Sequence, residues 1–203
     1  MQSDAGTCNH DARCSKLNGM DGPTDSVALE FLRVCRKFFL QSQTLGLRAL
    51  EQVPEAKIHH HPEESNSLAV IVKHMAGNMR SRWSNMFGSD GEAAGRNRDA
   101  EFAEDTRTKS EILEEWLAGW TVFFTAFDAL EPSDLTRTIT IRGESVSVIE
   151  ALQRQLAHYA HHTGQIVYLA KAVVGPEWQS LSIPKGESVA FNQRLLEQTG
   201  QRS

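Results

Sequence analysis

Residues 147–176 read SVIEALQRQLAHYAHHTGQIVYLAKAVVGP. Ser147 and Glu150 have the spacing of a capping box, and Gly175 followed by Pro176 is a stop signal. The stretch between them predicts one helix of about 27 residues, which at ~1.5 Å per residue spans roughly 40 Å. A helix of that length is a principal member of a bundle, and it carries three histidines, His158, His161 and His162, in five positions.

Working outward, the chain has 203 residues, 40% hydrophobic and 23% charged, as expected of one soluble globular domain with a sizeable core. Its formal net charge of -5 gives no electrostatic reason to expect nucleic acid, which needs a clustered basic surface. Cys8, Cys14 and Cys35 are too few and too scattered for a disulfide framework, so a reducing, cytoplasmic setting is expected. Cys8 and Cys14 with His10 lack a second ligand pair and do not make a zinc knuckle. Residues 1–25 are polar and rich in Gly, Ser, Asp and Asn, the composition of a disordered tail. They contain no apolar run for a secretory signal, and no later segment offers the ~18 apolar residues of a membrane span.

A first amphipathic helix is predicted from Ser26, with Leu29, Leu32, Cys35, Phe39 and Leu40 on its apolar face, before Pro54. The loop PEAKIHHHPEE follows, and its His59, His60 and His61 are loop imidazoles without the rigid support that a specific metal site needs. A second helix opens with Ser and Asn capping candidates and runs through Leu68, Val70, Ile71, Met75 and Met79, with His74 on the same mostly buried face. GSDGEAAGRNRDAEFAEDTR, residues 88–107, reads as a long crossing loop. Its Arg96, Arg98, Asp99 and Glu101 read as a solvated charge cluster, with gating of a nearby site at the bundle mouth as the functional alternative. A third helix opens with a capping box, Thr108 with Glu111, and presents Ile112, Leu113, Trp116, Trp120, Phe123, Phe124 and Phe127. LTRTITIRGESVSV predicts a short two-stranded ribbon turning at Arg142–Gly143–Glu144, and residues beyond Glu177 predict a connector and a short terminal helix. The fold class expected is all-α, a four-helix bundle with a small β-ribbon before its last member and a short C-terminal helix.

Positions i and i+4 of a helix share a face, about 6 Å apart at Cβ, so His158 and His162 can reach one cation. His161 points elsewhere. His74 puts an imidazole on a buried face, where it needs a partner; a backbone carbonyl or a carboxylate would serve. Three histidines from two helices also form a set that can hold a divalent metal with an open position. Gln165, three residues past His162, is placed to accept from an imidazole N–H or to orient a ligand. Arg82 is a candidate clamp for a substrate carboxylate, with a salt-bridge role as the structural alternative. Gly164 would let another helix approach, and Tyr159 and Tyr168 read as packing residues. No carboxylate falls in the HYAHHTGQ turn, so no general base is evident.

Four ordered segments, SNSLAVIVKHMAGNMRSRW, GRNRDAEF, IRGESVSVIEALQRQLAHYAHHTGQIVYLAK and WQSLSIPKGES, resemble an uncharacterised branch of the DinB/YfiT-like metalloprotein superfamily. The resemblance runs from residue 26 to about residue 195 and implies a domain, residues 26–203, with an up-down-down-up helix order, often a homodimer. It implies His74, His158 and His162 as the metal ligands, with His161 outside the triad. Zn²⁺ or Ni²⁺ is the metal expected, with Mn²⁺ or Fe²⁺ as alternatives. Some members of the superfamily are S-transferases that use a low-molecular-weight thiol. The functions implied are therefore thiol transfer or metal-dependent hydrolysis on a small molecule, or a non-catalytic dimeric stress protein with a structural or vestigial metal site.

Overall fold

The computed structural model describes residues 23–92, 96–104 and 106–200. Most of the tail expected over residues 1–25, with Cys8, His10 and Cys14, lies outside them. Helix α1 (Pro23–Gln52) starts ahead of the expected Ser26, because a proline's fixed φ suits the first helical position, where no N–H is needed. Its buried stripe runs through Cys35, Phe39, Ser42, Ala49 and Leu50. Leu29 and Leu40, expected on that stripe, are instead 41% and 44% exposed.

The Ser67 hydroxyl accepts from the Val70 N–H (3.2 Å) and starts α2 (Leu68–Trp83). Only Lys73, Gly77 and Arg80 of α2 escape full burial, so this helix is the centre of the domain. Helix α4 (Lys109–Asp128) begins at the reciprocal Thr108–Glu111 box and buries Ile112, Trp116, Trp120, Phe123 and Phe127. These rings pack with Phe39 of α1 and with a tyrosine, Tyr159, from the long histidine-bearing helix, so the aromatic face is core and not a pocket wall.

The ribbon pairs β1 (Thr138–Ile141) with β2 (Glu144–Ser147), Ile139 opposite Val146, and buries Ile139, Ile141 and Val146. Its two-residue turn has φ of 56° at Arg142 and 74° at Gly143, the left-handed pair that matches strand twist. Arg142 is held there because the Asp90 carboxylate accepts from its N–H and from that of Gly143, both at 2.7 Å. Helix α5 (Val148–Val174) follows at once, with the Ser147 hydroxyl accepting from the Glu150 N–H (3.2 Å) and Glu150 turned toward Arg154.

Helix α1 lies along α5 and α2 along α4, while α2 also meets α5 and α1 meets α4. These pairings join the four long helices around one shared aromatic core in a predominantly helical domain. Residues 98–101 form a helical turn, α3 (Arg98–Glu101), packed on α2, where a loop was expected. Helix α6 (Ser188–Gly200) lies on the outside, with Val189 and Leu196 each 70% exposed. Gly164 faces open space with no helix against it among the described residues, and Tyr168 is 80% exposed, so neither packs as expected. No helix among the described residues is long and apolar enough to cross a membrane.

Candidate metal centre

His74 projects from the middle of α2 toward α5, where His158 and His162 stand one turn apart. The Nε2 atom of His158 lies 3.3 Å from that of His74 and 3.1 Å from that of His162. One nitrogen from each of the three residues falls within 4.8 Å of the others. Nitrogens held at ~2.0–2.1 Å in a tetrahedral set are about 3.3 Å apart, so a divalent ion fits between these atoms. His74 is buried, whereas His158 and His162 are half-buried and leave the site an open side.

All three imidazoles are neutral near pH 7, the form with a lone pair to donate. Burial pushes His158 down to about 3, reinforced by the neighbouring imidazoles and the Arg82 and Arg96 guanidiniums. Burial also lowers His74 and His162, against hydrogen bonds to Glu101 and Gln165 that act the other way. The unfolded chain takes up protons near 6.5 and folded His158 only near about 3, so the unfolded state binds more protons between those values. Stability of the metal-free protein is therefore full above that window and is lost as pH falls through it. Thermal unfolding in chelator should show Tm dropping between about pH 7 and about pH 4, and a flat Tm over that range contradicts the assignment.

The second nitrogen of each ring meets a different fate. His74 Nδ1–H donates to Glu101 Oε2 (3.0 Å), and His162 Nδ1–H donates to Gln165 Oε1 (2.7 Å). His158 Nδ1 is buried with no partner among the described residues. The Gln165 amide also donates to His161 Nε2 (3.2 Å), which leaves exposed His161 beside the triad and outside it. The Phe102 ring covers His74 at 4.7 Å, and the Arg98 guanidinium lies 5.6 Å above Phe102.

Glu101 is the residue whose role the sequence concealed. Arg96 Nε and Nη2 donate to its two oxygens at 2.7 and 2.8 Å. Both side chains are inside the protein, 5% exposed for Arg96 and 10% for Glu101, so they are no solvated charge cluster. Behind them Glu92 accepts from Arg82 (3.0 Å) and Arg142 (2.8 Å) and pairs with Arg96 (3.4 Å). Arg82 is buried and its Nη1 also donates to the Gly91 carbonyl, so the salt-bridge role fits it and the substrate clamp does not. A signal was present in the sequence: Gly77, a mid-helix glycine three positions past His74. A Cβ there would come within 2.8 Å of Glu101 Cδ. His59 Nε2 meets the Arg107 carbonyl (2.7 Å) and His61 Nδ1 the Pro62 carbonyl (2.9 Å), so the loop histidines do not converge.

A predominantly helical domain in which two long helices bring three Nε2 atoms together is a helical protein with a candidate three-histidine metal centre. Residues 26–187 match the family described as protein of unknown function (DUF1572). The chain belongs to that family, which is DinB/YfiT-like. Among curated proteins no match is found.

Proposed function

We propose that the protein is a four-helix bundle that binds one divalent ion through His74, His158 and His162 and acts on a small molecule at the open position of that ion. The observation that carries this reading is the convergence of the three Nε2 atoms at ligand spacing. An all-nitrogen set suits Zn²⁺ or Ni²⁺, with Mn²⁺ and Fe²⁺ as weaker fits. Such an ion supplies a Lewis acid that lowers the pKa of a thiol or water at its open side.

Between transfer of a low-molecular-weight thiol and hydrolysis, the geometry favours transfer. Hydrolysis gains from a free carboxylate acting as general base, and Glu101 has both oxygens committed to Arg96 and His74. A thiol that would lose its one proton to solvent on binding the ion carries none to move as it attacks a small electrophile and displaces the leaving group, whereas an attacking hydroxide still carries a proton that a base would take. A homodimer is part of the proposal, supported by an open groove of about 420 Å³ between α1 and α5 lined by Phe38, Leu45, Leu156 and Ala160. Metal analysis of protein expressed in Zn²⁺- and Ni²⁺-supplemented medium should find about one equivalent per chain. Turnover of a thiol and electrophile panel should then depend on that metal. Protein that carries no metal and takes none up on dialysis would refute the proposal.

A further inference from the structure

We propose that Glu101, aligned by Arg96 and admitted by a notch at Gly77, is the positioning residue of this site. It holds His74 with the proton on Nδ1, so that Nε2 is free to ligate. This deepens the metal reading above and rests on it.

Which nitrogen of a neutral imidazole carries the proton is set by what the other nitrogen meets. At His74 the carboxylate oxygen 3.0 Å from Nδ1 can only accept, which fixes the proton there. His162 has an uncharged amide in the same place and His158 has nothing, so His74 is the one ligand of the three with a carboxylate behind it. A hydrogen-bonded carboxylate also makes the opposite nitrogen a better donor.

Three further observations show that the arrangement is built. Arg96 grips both oxygens of Glu101 in a two-point fork, which fixes the plane of the carboxylate. Burying such a pair is a poor way to gain stability, because desolvation offsets the attraction. Its place against His74 gives it another purpose. Gly77 is a poorer helix former than alanine would be in mid-α2, and what the missing Cβ makes room for is Glu101. Finally, the Asn97 side chain accepts from the Ala100 N–H (3.0 Å) and caps the turn that carries Glu101.

The test compares the full-length wild type with Glu101→Gln, Gly77→Ala and the double variant Arg96→Met/Glu101→Ala. The double variant is included because removing Glu101 alone strands a buried guanidinium. Circular dichroism verifies folding. Nitrogen-15 NMR of the metal-free proteins reads the tautomer of His74, and competition with a chromophoric chelator reads the Zn²⁺ affinity. The expected result is an Nδ1–H tautomer in the wild type that is lost in the double variant, with Zn²⁺ affinity about 10- to 100-fold weaker. Gly77→Ala should weaken binding in the same direction without touching a ligand, and Glu101→Gln, which keeps an acceptor oxygen, should recover part of the loss. A folded double variant with wild-type affinity and an unchanged tautomer overturns the inference and leaves the metal reading standing. A wild type that binds no Zn²⁺ overturns the metal reading, and the inference with it.

Discussion

Replacing His158 with alanine is expected to abolish stoichiometric metal binding, because His158 Nε2 is the atom that neighbours both other ligands, at 3.3 and 3.1 Å. Two remaining imidazoles make a weak chelate, and affinity for Zn²⁺ should fall by at least about 100-fold. Stability should move in opposite directions with and without metal. In chelator, the variant loses a half-buried ring whose buried Nδ1 has no partner among the described residues, so it should unfold no earlier than wild type. With Zn²⁺ at 100 times the wild-type Kd, the wild type gains about 2.7 kcal/mol by mass action and the variant gains almost nothing. His161→Ala, one position from His162 and outside the triad, is the control and should change neither quantity. A His158→Ala protein that still binds one equivalent with native affinity would remove the three-histidine assignment.

The largest loss of stability is expected from Trp120→Ala. Trp120 is wholly buried, with ring centroids of Trp116, Phe123, Phe124 and Tyr159 at 5.4–5.7 Å. Emptying that volume should cost about 3–5 kcal/mol, as aromatic-to-alanine changes in closed cores do. Trp120→Phe should cost far less, because it keeps most of the apolar contact and removes an indole N–H that has no partner among the described residues. Urea unfolding, followed with attention to a constant slope, measures both. Equal losses for the two variants would mean that the indole donor is satisfied and matters more than the ring. Since Tyr159 packs on Trp120 and follows His158 directly, loosening here should also weaken metal binding.

What could be read from the chain divides by the range of the interactions involved. Helix α5 and the Thr108–Glu111 box are local devices, with capping partners within about four residues, and their sequence spacing is their geometry; the ribbon turn shows in its residues, although Asp90, which holds it, is distant in the chain. His74, His158 and His162 were legible as a set because helical periodicity shows which face each occupies. The limits of α1 were less clear. An apolar residue at Leu29 or Leu40 has the right spacing, yet only a neighbouring helix decides whether it is covered, and both are exposed. Glu101 was hidden for the same reason. It reaches His74 across 27 residues, from a stretch whose charges look solvated until Arg96 and Gly77 are seen to enclose them. The mid-helix glycine was visible but could not reveal what it accommodates.

Gly77 and Glu101 occupy one shared volume, and this has a consequence for how the sequence can drift. A Cβ at position 77 and Glu101 in its present pose cannot coexist, since the two would stand 2.8 Å apart at Glu101 Cδ, so the carboxylate would have to move off His74. Position 77 cannot grow freely while Glu101 stays in place. In homologous chains the two positions should covary: a residue larger than glycine at the first should accompany a shorter side chain at the second, with Arg96 losing its guanidinium alongside. Lineages that have made that exchange would have traded away the carboxylate behind His74, and they mark where in the family the site has been retuned or abandoned.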